Sequence, residues 1–169
     1  MTTEDFIPPP YTEIAETASV SYQSPSNIAL VKYWGKYGEQ LPQNASISFT
    51  LSKCKSETTL QYKKKTKGGF DFKVYLDGVL EEGFEPKIHK FFQRVEKYIP
   101  FVDEYSFVIK TQNTFPHSSG IASSASGMSA LAMCLVALEC QLNNSKNAPL
   151  HNKEYQLQKA SFLARLGSG

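Results

Sequence analysis

A chain of 169 residues with 41% hydrophobic content can bury one core, the expected size of a single domain or of part of a larger one. Eighteen Lys and Arg against sixteen Asp and Glu leave a net charge of only +2, which excludes a protein-wide field suited to nucleic acid, so any anion site must be local. The three cysteines, Cys54, Cys134 and Cys140, lack the paired spacing of a zinc site or a disulfide framework and read as ordinary buried thiols of a cytoplasmic protein.

Residues 1–16, with acids at Glu4 and Asp5 and the run Pro8-Pro9-Pro10, read as a flexible N-terminal extension without the layout of a signal peptide. Ala18 to Gln23 and Ile28 to Lys32 read as short strands, and Ser46 to Leu51 alternates as a third. A meander follows. Its strands Glu57 to Tyr62 and Phe70 to Leu76 flank Lys63-Lys64-Lys65-Thr66-Lys67 and Gly68-Gly69, which reads as a solvated hairpin tip, and Asp77-Gly78 signals a two-residue hairpin into Val79-Leu80. From Pro86, Ile88, Phe91, Phe92, Val95 and Ile99 follow helical spacing along one face. Tyr105 to Ile109 returns as a strand. From Ser123 the chain is rich in Ala, Ser, Met and Leu with almost no charge until Glu139, which predicts a central helix covered on nearly every side. A last helix, about Glu154 to Leu166, carries Leu157, Ala160, Phe162 and Leu163. No apolar run reaches the length of a membrane span, so no membrane partner is expected.

The segment Pro116 to Ser126 carries the chemistry. Small residues let backbone approach a ligand, a helix N-terminus leaves N–H groups with partial positive charge, and Ser118, Ser119, Ser123, Ser124 and Ser126 add hydroxyls, together an anion cradle. No Lys-Ser or Lys-Thr follows a Gly-x4-Gly, so the Walker pattern is absent. A helix start with serine caps and tight Ala/Ser packing accounts for the same residues and stays open as an alternative. His89 and His151 read as surface residues.

Asn27-Ile28-Ala29-Leu30-Val31-Lys32-Tyr33-Trp34-Gly35-Lys36, then Leu41-Pro42 and Asn44-Ala45-Ser46-Ile47-Ser48, then Phe115-Pro116 with Ser119 to Gly127, resemble the diphosphomevalonate decarboxylase family of the GHMP kinase superfamily. The resemblance runs from about Thr17 to the last residue, in outline only over 53–103. It implies an α+β domain over 17–169, similar to the second domain of ribosomal protein S5, with helices on one face of a mixed sheet. Gly167-Ser168-Gly169 would open a further motif of the family, with the catalytic aspartate beyond it in a C-terminal domain. The helix at 123–142 is then expected to be partly uncovered in this chain alone.

The implied activity of the complete protein is ATP-dependent decarboxylation of mevalonate 5-diphosphate to isopentenyl diphosphate through phosphorylation of the 3-hydroxyl. A GHMP small-molecule kinase that does not decarboxylate is the alternative, and the 32–36 motif favours the decarboxylase. The resemblance places Lys32 near the reacting hydroxyl as a buried catalytic cation, and Ala29, Tyr33, Trp34 and Lys36 on the substrate. Lys87 stands where relatives often have a substrate-contacting arginine. Thr111, Asn113, Ser118, Ser119, Gly120, Ala122, Ser123, Ser124 and Ser126 would hold ATP and its phosphates, with Mg²⁺ as the second cofactor and no metal ligand from this chain. His117, beside the loop, matches no base of the family. A homodimer of the full-length protein is compatible with the resemblance.

Overall fold

The computed structural model describes residues 2–32, 34–116, 119–143 and 149–168. Alternation shapes the sheet: Ser56, Thr58, Leu60 and Tyr62 point inward along one strand while Glu57, Thr59, Gln61 and Lys63 point the other way. The strands are β1 (Thr17–Val31), β2 (Lys36–Tyr37), β3 (Leu41–Pro42), β4 (Ile47–Lys64), β5 (Asp71–Leu76), β6 (Val79–Leu80) and β7 (Tyr105–Asn113). Five of them form a mixed sheet in the order β1-β4-β7-β5-β6, with β5 parallel to β7 and the other pairs antiparallel; β2 and β3 pair separately.

Three expectations about strands need correction. Ala18 to Gln23 and Ile28 to Lys32 are one strand that ends at Val31, and Ser46 to Leu51 and Glu57 to Tyr62 are likewise one. Pairing resumes on both sides of the irregularity between Pro25 and Asn27, so a proline without an N–H interrupts the ladder and does not end the strand. The Lys and Gly segment at 63–69 is not a hairpin tip, because β7 lies between β4 and β5 and takes the ladder bonds of both. There Lys65 N–H donates to the Glu104 carbonyl (3.1 Å) and Gly69 N–H to Asp103 (2.6 Å). The Asp77-Gly78 hairpin is as expected: both residues have positive φ (50° and 83°), and Leu76 pairs with Val79.

Helix α2 (Ser123–Gln141) packs on β1 and β4, helix α1 (Glu85–Val95) reaches the sheet through Phe92, and helix α3 (Lys153–Ser168) packs on α1 and α2. Ile88, Phe91, Phe92 and Val95 of α1 are buried, and Phe92 packs edge-on to Phe72 and Phe107; Ile99 is buried just beyond the helix. Only Ser124 and Gln141 of α2 are exposed, so the helix is covered and not, as expected, partly bare. By length and composition α2 could cross a membrane, contrary to the reading of the sequence, but its apolarity belongs to burial between sheet and α3. In α3, Leu157 is exposed while Ala160, Phe162 and Leu163 are buried. Cys134 is buried; Cys54 and Cys140 are partly so, and all three are free thiols.

The leader also departs from expectation, because it is packed and not free. Residues Thr3–Phe6 form a 3-10 turn whose Phe6 is buried and stacked on Phe162, 5.0 Å between ring centres. Thr12 and Glu13 N–H both donate to the Leu142 carbonyl (3.1 Å), and the Tyr11 hydroxyl donates to Glu139 (3.2 Å), which pairs with Lys159 (2.6 Å) with both charged residues fully buried.

Exposed apolar side chains gather elsewhere, on the far half of the β1–β4 ribbon: Leu30, Val31, Ile47 and Phe49.

Candidate functional site

The N-terminus of α2 is preceded by Gly120 (φ 80°) and Ala122 (φ 57°, ψ 38°), both left-handed. For an alanine this conformation costs about 1–2 kcal/mol, and no side chain caps the helix, so the serine-cap account fails for this terminus. What holds the loop is β1: the buried Ser26 hydroxyl donates to the Ile121 carbonyl. Ser123 and Ser124 of the uncapped first turn line a cavity of about 340 Å³ between α1, α2 and the ends of β5 and β7.

Five of the expected site residues line that cavity: Lys87, Thr111, Asn113, Ser123 and Ser124. Its walls are otherwise apolar, from Val74, Leu76, Phe84, Ile109 and Met128 among others. Lys87 extends from the first turn of α1 to donate to the Ser124 hydroxyl, and desolvation of its ammonium holds its pKa below the ordinary lysine value. Lys87 therefore sits with the serine loop and the Thr111–Asn113 edge in one cavity.

Ser126 is turned the wrong way to meet a ligand. Its hydroxyl is buried, 2.6 Å from that of Ser56, whose own hydroxyl donates to Asn113 Oδ1 at 2.6 Å. This chain pins α2 to β4 and β7 and orients the Asn113 amide. Ser26 and Ser56 were not singled out from sequence; the available signal was their inward position in strands whose other inward residues are mostly apolar or β-branched. Ser119 and Gly120 are exposed on the loop, while Tyr33, His117 and Ser118 lie outside the described residues.

Lys32, Trp34 and Gly35 are irregular and lie between the end of β1 and Lys36, the first residue of β2. Asn44 ties this stretch, accepting from Trp34 N–H (3.0 Å) and donating to the Lys32 carbonyl (3.3 Å). Trp34 is 89% exposed, which removes a core role for it. Lys32 is exposed as well, so the expected buried cation is not found there. Ala29 is half-buried on β1 opposite Ser48. Lys36 lines a second hollow with Gly38, Glu39, Gln40, Arg94 and Leu166.

Fold and site together define an α+β domain with an uncapped N-terminus of a buried helix and a largely apolar cavity beside it. Residues 24–169 match the family described as diphosphomevalonate decarboxylase-like N-terminal domain, and the chain belongs to that family. The diphosphomevalonate decarboxylase of Debaryomyces hansenii is 32% identical over 164 residues, covering 88% of this chain and 38% of the relative. The crystal structure of mevalonate diphosphate decarboxylase from Staphylococcus aureus superposes with a TM-score of 0.69 at 34% identity, over 90% of this chain and 42% of that one. A structure of MDDEF in complex with MVAPP, AMPPCP and magnesium matches with a TM-score of 0.64 at 33% identity, over 90% and 42% of the two chains. The chain thus spans about two fifths of the length of these relatives.

Proposed function

We propose that this domain binds ATP and mevalonate 5-diphosphate for an ATP-dependent decarboxylation to isopentenyl diphosphate, carried out by a protein as long as its relatives. The observation that carries this reading is the convergence of Lys87, Thr111, Asn113, Ser123 and Ser124 on one cavity at the start of α2 in a member of this family.

The cavity suits a nucleotide: apolar walls can take a base, and the serine hydroxyls, uncapped N–H groups and Lys87 can take phosphates. Ser119 and Gly120 form the open rim of the cradle, and Ala122 fixes the direction of the first N–H groups. Mg²⁺ would be held near the hydroxyls of Ser123 and Ser124. Magnesium supplies charge neutralisation during phosphoryl transfer when bound. The chain's own part is to position the phosphates and withhold water through the apolar walls.

Ala29, Lys32, Tyr33, Trp34 and Lys36 are the residues assigned to the substrate. Lys36 is the residue assigned to the 5-diphosphate, because a point charge on a flexible stem can follow phosphate oxygens. The setting is cytoplasmic, in keeping with three free thiols.

The test is carbon dioxide release from mevalonate 5-diphosphate by the full-length protein with ATP and Mg²⁺. Release that is ATP-dependent and lost in Ser124→Val supports the reading. Accumulation of a phosphorylated substrate without carbon dioxide would favour the kinase class instead.

A further inference from the structure

We propose that Ser56 is a positioning residue for nucleotide binding: it holds the Asn113 side chain with its NH₂ group turned into the cavity, where that group donates to a phosphate oxygen; the proposal rests on the reading of the cavity as a nucleotide site. Ser56 faces Asn113 across the β4–β7 ladder, is fully buried, and lies behind the cavity wall that Asn113 helps to form. A ligand in the cavity does not touch it, so it can act only through a neighbour. Further along the same two strands the inward face is apolar, Leu60 against Ile109 and Tyr62 against Phe107. At the cavity end it turns polar: the Thr58 and Thr111 hydroxyls meet at 3.2 Å, and Ser56 meets Asn113 at 2.6 Å.

The hydrogen bonds around Ser56 run in one direction. Its hydroxyl has a single proton and gives it to Asn113 Oδ1, so across the 2.6 Å contact with Ser126 it can only accept. Ser126 therefore donates to Ser56, although the Ser123 and Ala122 carbonyls lie 3.1 Å and 3.4 Å from the same hydroxyl. Donation passes from Ser126 to Ser56 to Asn113, and each bond polarises the next.

The carbonyl of Asn113 is thus engaged in the wall, while its NH₂ group has no acceptor among the described residues and belongs to a side chain that lines the cavity. The two ends of an amide have nearly the same shape and exchange by rotation about one bond. Ser56 breaks that degeneracy, so the cavity is offered a donor and selects an acceptor. The link through Ser126 to the first turn of α2 sets this donor with Ser123, Ser124 and Lys87, the groups assigned to the phosphates. If the serines only pinned α2 to the sheet, Ser56 and Ser126 would matter alike, because they share one bond. The direction of donation makes them unequal.

The experiment titrates full-length protein with a non-hydrolysable ATP analogue and Mg²⁺ by calorimetry in wild type, Ser56→Ala, Ser126→Ala, Asn113→Ala and the double variant Ser56→Ala with Asn113→Ala, with urea unfolding of each. Ser56→Ala is expected to weaken the analogue roughly two- to tenfold, the worth of one neutral hydrogen bond. Ser126→Ala should weaken it less, because Ser56 can still donate to Asn113. In the Asn113→Ala background, Ser56→Ala should cost no further affinity. Inorganic tripolyphosphate should lose affinity in Ser56→Ala as the analogue does, and adenosine should not; the reverse would overturn the placement on phosphate. Equal losses in Ser56→Ala and Ser126→Ala that follow their losses of stability, or additive losses in the double variant, would reduce Ser56 to a packing contact and overturn the proposal. Wild-type affinity in Ser56→Ala beside weakened binding in Asn113→Ala would overturn it too, while leaving the nucleotide reading in place; an analogue that does not bind wild type removes that reading and the proposal with it. A last check needs no Ser56 variant: in wild type with isotope-labelled asparagine, the side-chain NH₂ signals that are missing from Asn113→Ala should shift when the analogue is added, and unmoved signals would overturn the donor role.

Discussion

Lys159→Met removes one half of an ion pair that lies fully inside the domain. Lys159 Nζ is 2.6 Å from Glu139 Oε1, the Tyr11 hydroxyl meets the same oxygen at 3.2 Å, and Oε2 is buried with no partner among the described residues. Desolvation raises the pKa of Glu139 despite its partner and lowers that of Lys159. Both directions say that burial of the pair costs more than its attraction returns. Removing Lys159 alone should therefore cost about 3–5 kcal/mol, because it strands a carboxyl in the core. For a domain of this size that is a fall in Tm of roughly 6–20 °C. Replacing both, Glu139→Leu with Lys159→Met, should bring stability back to the wild-type level or above it.

The pH dependence gives an independent check. In Lys159→Met the folded pKa of Glu139 lies further above its unfolded value, so the native state keeps a proton that the unfolded chain releases. Stability of the variant then falls as pH rises from the ordinary Glu value of about 4.3 up to the folded pKa. Urea unfolding at pH 4.5 and pH 8 should show the larger deficit at pH 8. A deficit equal at both pH values, or a double variant as unstable as the single one, would refute the claim that an uncompensated charge is the cause.

Other substitutions probe the site and its frame. Ser124→Val in the full-length protein should lower turnover by roughly 10²-fold, measured as carbon dioxide release, if the loop stabilises developing phosphate charge; unchanged turnover in a folded variant would make it a helix start only. Because burial holds the Lys87 pKa low, nucleotide affinity should decline as pH rises through a value below the ordinary lysine figure of about 10.4, and Lys87→Met should be weaker and flat over the same range in fluorescence titrations. Gly167→Ala must displace the end of Met128 and press on Phe91, so urea unfolding should show a loss of about 1–3 kcal/mol; no loss would mean that α3 can shift away from α1 and α2.

The sequence by itself determined the elements whose signals are local. The Asp77-Gly78 turn requires positive φ at both residues, the 3.6-residue spacing of Ile88, Phe91, Phe92 and Val95 marks the buried face of α1, and the apolar run after Ser123 can only be a covered helix. The small-residue loop and the 27–36 motif likewise announced the family, because each is a run of neighbouring residues that can be read without knowing the fold. Tertiary structure decided what depends on residues remote in the chain. Whether Ser24-Pro25-Ser26 ends a strand or only bends it depends on β4 continuing to pair beyond it, and whether the lysine segment at 63–67 is a hairpin tip depends on β7 entering between β4 and β5. The same holds for the site. Lys87 joins Ser124 and not Lys36, and Ser126 turns to Ser56 and not outward. Side-chain direction is set by which face of each element the core claims, and that is a property of the assembled layers, not of spacing along one strand or helix.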